Sequence, residues 1–113
     1  MVKIPYIVTS SRTSAFLIYH SKVSLIHKVT EEVAIAELRV RQVPKSKDFP
    51  DGIKYSLFLV MKETGKTIIG IDNHKPKGHH LHIGDKEETY HYVGVDELIE
   101  DFWKKVEKEG FLI

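Results

Sequence analysis

Only one stretch of this 113-residue chain, Val95–Glu109, repeats its apolar residues at helical steps. Leu98, Ile99, Phe102, Trp103 and Val106 recur one, three and four residues apart and form a single apolar stripe. Asp96 and Glu97 open the segment, and Lys104, Lys105 and Lys108 lie toward its end, the order that suits a helix dipole. Gly110 follows as a closing residue, with Phe111 placed for the apolar contact that accompanies such ends. A lone amphipathic helix cannot bury its own stripe. Its cover must come from the rest of the chain, where the apolar residues alternate instead.

Glu32–Val43 puts Ala34, Ala36, Leu38 and Val40 on one side and Val33, Ile35, Glu37, Arg39 and Arg41 on the other. Ile53–Lys62 is apolar on both sides, as a central strand is. Glu63-Thr64-Gly65-Lys66 reads as a tight hairpin loop and Thr67–Asp72 as the returning strand. His79–Ile83 is a short strand, Gly84-Asp85-Lys86 a turn, and Glu88–Val93 a further strand. Ala15–His20 and Lys22–Val29 read as two strands near the N-terminus, although that part is also compatible with some helix. Pro44–Gly52 and Asn73–Gly78 are loops. The expected fold is α+β, an antiparallel β-sheet of about five to six strands with the C-terminal helix packed on one face. The length fits a single domain over residues 1–113. The helix is expected over Leu38, Val40, Leu57 and Leu59, which leaves Arg39, Arg41, His80 and His82 on a bare face.

Composition narrows the chemistry. There is no cysteine, which excludes disulfides, thiolate metal sites and a cysteine nucleophile. Lys and Arg total 17 against 16 Asp and Glu, so any grip on phosphate must come from local clustering and not from bulk charge. Pro5 and the polar Thr9–Ser14 run interrupt the N-terminal residues, and no apolar run is long enough to span a bilayer. The expectation is a cytoplasmic protein without a membrane partner.

The segment Asp72–Tyr92 holds five of the seven histidines. His80 and His82 alternate on one strand, so both rings leave the same face, and imidazole titrates near neutrality. Such a pair can supply the base and the acid of a metal-independent ribonuclease. Arg39, Arg41 and Lys77 can meet the phosphorane charge, Gly78 can admit the phosphate to the backbone, and Tyr90 can stack a base. Asp72 and Glu88 are the carboxylates within reach. Asp72 can fix a histidine tautomer, but Asp-Asn at a strand end is also an ordinary turn starter. Tyr90 and Tyr92 nevertheless read more readily as core residues with bonded hydroxyls. No cofactor is required. Alternatively, His80, His82 and Asp72 can bind a divalent metal such as zinc, with Glu88 as another candidate ligand.

In order and spacing, Asp72-Asn73, Lys77-Gly78, His80, His82, Gly84, Glu88, Tyr90 and Tyr92, then Leu98, Asp101 and Phe102, resemble the signature of the TumE-type toxins. The resemblance runs from about Glu32 to Phe102, and residues 1–20 lie outside it. Three positions depart from the pattern: His79 where the family usually has Asp, Leu81 where it often has Arg, and Thr89 where it often has Pro. The resemblance implies the toxin of a toxin–antitoxin module, with a small HTH-type antitoxin as partner. RNA is the expected target, and exposed strands leave room for a homodimer. The competing reading is a non-enzymatic module that inhibits a cellular target by occupying it, which the near balance of charge favours.

Overall fold

The computed structural model describes residues 16–113, with side chains from Ile18 onward. Residues 1–15, and with them most of the N-terminal segment set apart above, lie outside the described residues. Six strands run in chain order across one antiparallel sheet: β1 (Phe16–Ile26), β2 (Val33–Gln42), β3 (Ile53–Met61), β4 (Thr67–Asp72), β5 (His80–Ile83) and β6 (Lys86–Thr89). One helix, α1 (Val95–Lys108), packs across β3 and β4. Among the described residues, no helix is long and apolar enough to cross a membrane.

Period-two alternation decides what each face carries. Ala36, Leu38 and Val40 of β2, Tyr55, Leu57 and Leu59 of β3, and Ile69 and Ile71 of β4 are buried under the helix. Cross-strand register binds them into rows such as Leu38, Leu57, Ile71 and Leu81. The stripe Leu98, Ile99, Phe102, Trp103 and Val106 closes the layer, and each of these residues is buried. Sealing one such aliphatic side chain stabilises the fold by about 1.5–3 kcal/mol.

The helix ends as its sequence implies. Gly110 adopts φ 98, its N–H bonds the Glu107 carbonyl, and the Phe111 N–H reaches back to Val106. These are the paired bonds of a Schellman end, and the Phe111 side chain is buried beside them. The Gly65 hairpin likewise forms between β3 and β4, with Gly65 at φ 73.

Two boundaries differ from expectation. Residues 16–26 form one continuous strand where two were expected. Tyr19, Ser21, Val23 and Leu25 share a face opposite β2, so the polar His20-Ser21-Lys22 run is a stretch of strand and not a break. β6 begins at Lys86 and ends at Thr89, earlier than the expected Glu88–Val93. Gly84, at φ 59, and Asp85 close a two-residue turn, so Ile83 already pairs with Lys86.

Candidate functional site

The face opposite the helix is built from the other half of each alternation. Following the pairing across the sheet, Thr89, His80, Asp72, Ser56, Arg39 and His20 form one row. The neighbouring row is Glu87, His82, Gly70, Phe58, Glu37 and Lys22. His80 and His82 therefore project together on the helix-free side. Their rings meet edge to face with centroids 4.8 Å apart.

His80 is held at both nitrogens. Nδ1 lies 2.7 Å from the Gly78 carbonyl oxygen, which can only accept, so this nitrogen carries a proton. Nε2 lies 3.0 Å from Asp72 Oδ1. These contacts leave the His80 side chain 10% exposed and that of Asp72 13%. Asp72 Oδ1 also accepts the His74 backbone N–H at 3.0 Å. The turn-starting and ring-orienting roles weighed for Asp72 are thus filled by one carboxylate at once. Asn73, buried beside it, accepts the Tyr55 N–H and donates to the Ile53 carbonyl, which ties the end of β4 to the start of β3.

His82 is the more open ring, 28% exposed, with Nδ1 3.8 Å from Glu87 Oε2. Lys77 Nζ donates to the other oxygen of Glu87 at 2.7 Å and holds that carboxyl below its ordinary value. The donor atoms of Asp72, His80 and His82 all lie within 4.8 Å of one another. A single ion bound at ordinary ligand distances needs donors roughly 3.4 Å apart, so the three would have to draw together slightly to hold one.

Beside this cluster runs a groove of about 470 Å³, lined by Arg39, Arg41, Lys54, Phe58, Asp72 and His74 among others. Arg39 is steadied by Glu37, whose Oε2 accepts from Nη2 at 3.1 Å and also faces His20 Nε2 at 3.1 Å. The His20 contact, followed by that of Arg39, lowers the Glu37 carboxyl against the opposing effect of burial. The sheet thus brings the expected cations Arg39 and Arg41 to the histidine face, Arg39 in the row of His80 and Arg41 in the next row, both on β2, three strands from β5.

Four expected site residues are placed differently. Glu88 pairs with Leu81, and alternation turns it to the helix side at an exposed position. The two-residue turn at Gly84 sets that register, and the carboxylate it brings to His82 is Glu87. Tyr90 is buried in the core, and its hydroxyl donates to Asp101 Oδ2 of α1 at 2.6 Å. Burial, then that contact, raises the Tyr90 hydroxyl far above its ordinary value, and its ring has no open face for a base. The Lys77 ammonium is engaged by Glu87. Gly78 takes a left-handed φ of 74 and turns its carbonyl to His80, an acceptor where a phosphate would need a donor.

His79, one residue out of phase with His80, faces the helix side. It stacks on Tyr92 with centroids 4.8 Å apart, and its nitrogens meet Tyr55 Oη at 2.8 Å and Asp51 Oδ2 at 3.2 Å. The departure from the family pattern at position 79 therefore sits in a structural aromatic stack away from the histidine pair.

Phe58, Gly70, Ser56, Lys54 and His74 belong to the open face but were not singled out from sequence. The alternation of β3 already marked Phe58 as the aromatic residue opposite the Tyr55, Leu57 and Leu59 side, which is the signal that could have found it.

No curated protein and no solved structure matches the chain. A family model described as toxin TumE matches residues 6–109, a span that starts ahead of Ser21 and takes in every residue of the site. With nearly its whole length inside that match, the chain belongs to the TumE toxin family, and a toxin of this kind implies an antitoxin partner.

Proposed function

We propose that this toxin cleaves single-stranded RNA in the cytoplasm by histidine acid–base chemistry at His80 and His82. The observation that supports the reading best is the convergence of Asp72, His80 and His82 beside a groove lined with cations, on the face the helix leaves bare. His82, the more open ring, takes the proton of the ribose 2′-OH. The 2′-oxygen forms a bond to phosphorus, and the bond from phosphorus to the 5′-oxygen breaks. The proton held between His80 Nε2 and Asp72 passes to the leaving 5′-oxygen, giving a 2′,3′-cyclic phosphate and a 5′-hydroxyl. Arg39 and Arg41 hold the phosphates of the incoming strand. The antitoxin, of the HTH type the family resemblance implies, silences the protein by covering this face, and a homodimer would use the strand edges.

A second reading is favoured by the same donor set. His80 donates a hydrogen bond from Nδ1 to a carbonyl and aims Nε2 at Asp72, the arrangement that orients a histidine toward a metal. Asp72, His80 and His82 would then hold a divalent ion such as zinc, which would activate water.

Incubating the purified protein with an unstructured RNA, with and without chelator, separates the two readings. Cleavage that survives chelator and yields cyclic phosphate ends supports the histidine reaction. Cleavage abolished by chelator and restored by zinc supports the metal. No cleavage under either condition overturns both and leaves inhibition by occupancy.

A further inference from the structure

An aromatic ring lies on the open face where a polar one would be ordinary. Phe58 sits on β3, in the middle of the sheet, on the side without a helix. Its register partners are Glu37 on β2 and Gly70 on β4. The ring does not stand upright between them. It lies over Gly70, so that a Cβ at that position would run into Cε1 and Cδ1 of the ring. Gly70 has no left-handed φ to explain it, so what its missing side chain provides is room for the ring. By leaning over β4, Phe58 approaches His82 on β5, with ring centroids 6.4 Å apart and a tilt of 31°.

We infer that Phe58, seated on Gly70, is the platform on which one unpaired base of the RNA stacks beside the scissile phosphate. The inference rests on the proposed action on single-stranded RNA and names the residue that takes an unpaired base. Stacking needs a flat apolar surface, a cationic track for the backbone next to it, and a base free of its duplex partner. Phe58 supplies the surface and is half-buried, so part of it stays open. Arg39, Arg41, Lys54 and His74 line the same groove and supply the track. The charge of the groove is complementary to phosphate. Duplex RNA keeps its bases inside and has none to offer the ring.

The test reads binding apart from cleavage. A short fluorescein-labelled single strand of 2′-O-methyl RNA has no 2′-OH to react, and its affinity is followed by fluorescence anisotropy. Phe58→Ala is expected to weaken binding about tenfold, within the usual worth of one stacked base. Phe58→Leu, which keeps apolar bulk without a flat face, should lose nearly as much, and Phe58→Trp should bind as tightly as the parent. An abasic position in the strand should cost the parent about what Phe58→Ala costs, and cost Phe58→Ala little more. The same sequence as a duplex should bind weakly to all four proteins. Parent-like binding by Phe58→Leu, or an abasic penalty equal in parent and Phe58→Ala, would overturn the stacking site. If the Phe58 dependence holds but unmodified RNA is left intact, the cleavage reading fails and the base site stands.

Discussion

The two faces of the sheet are built by the same strands and obey opposite rules. Under the helix, Leu38, Leu57, Leu59, Ile69 and Ile71 are sealed from water, and their neighbours are other apolar side chains. On the open face, the residues between them include Arg39, Asp72, His80 and His82, and their neighbours are mostly groups that accept or donate protons. A one-residue step at the start of β5 exchanges one environment for the other, as His79, just before the strand, and His80 show. His79 stacks against Tyr55 and Tyr92 on the helix side, whereas His80 meets Asp72 on the other. The lesson is that histidine count identifies the segment, while strand phase decides which rings work together.

The sharpest way to break this division is to truncate the covered face. Phe102→Ala removes a fully buried ring and is expected to cost about 3–5 kcal/mol, read from the denaturant midpoint. A loss of this size takes up much of the stability of an ordinary small domain, so any fall in growth arrest should follow the folded fraction and not the chemistry. A midpoint unchanged from the parent would mean that the helix does not close the core.

A smaller effect is expected at Tyr90. Tyr90→Phe keeps the ring and strands Asp101 without its donor, at a cost of about 1–2 kcal/mol. Binding of RNA per folded molecule should not change, because Tyr90 lies on the covered side. Weakened RNA binding with parent stability would move Tyr90 back to the role that its position in the sequence motif suggested.

The smallest effect belongs to the surface. The Glu37 carboxyl titrates below its ordinary 4.5, chiefly through His20 and then Arg39. A carboxyl lowered in the folded state contributes stability that is fully present above its unfolded pKa and lost as pH falls through the folded value. Glu37→Gln should therefore lower stability at neutral pH by less than about 1 kcal/mol and converge with the parent in acid below the carboxylate range. Urea midpoints measured along that acid series check the sign, and a gap that widens toward low pH would reverse it.

Much of the fold was legible because its periods are clean. The α1 stripe, the Gly65 hairpin and the Schellman end at Gly110 each follow from spacing or from a residue type that the backbone demands. β1 was misread because Ser21 and Val23 continue the alternation at the sheet edge, where burial is incomplete and polar residues cost little. The histidine face was legible from the alternation of β5. The partners of that face were less so. Glu87 in place of Glu88 depends on a two-residue turn, and a one-residue change there exchanges the carboxylates. His27 carried no motif. Its Nε2 donates to the Glu109 carbonyl and its Nδ1 accepts the Val29 and Thr30 N–H groups, contacts across the fold that no local pattern announces. Gly70 and Phe58 were hidden for a similar reason, since their fit is a cross-strand contact.

The most direct test of the working face is growth arrest by His82→Ala, paired with its unfolding temperature. His82 is partly exposed and its ion contact with Glu87 is long, at 3.8 Å, so removing it should leave the fold intact. The expected result is parent-like unfolding with growth arrest abolished, and the same loss of arrest in His80→Ala. Full toxicity in both variants would contradict the assignment of chemistry to the histidine face.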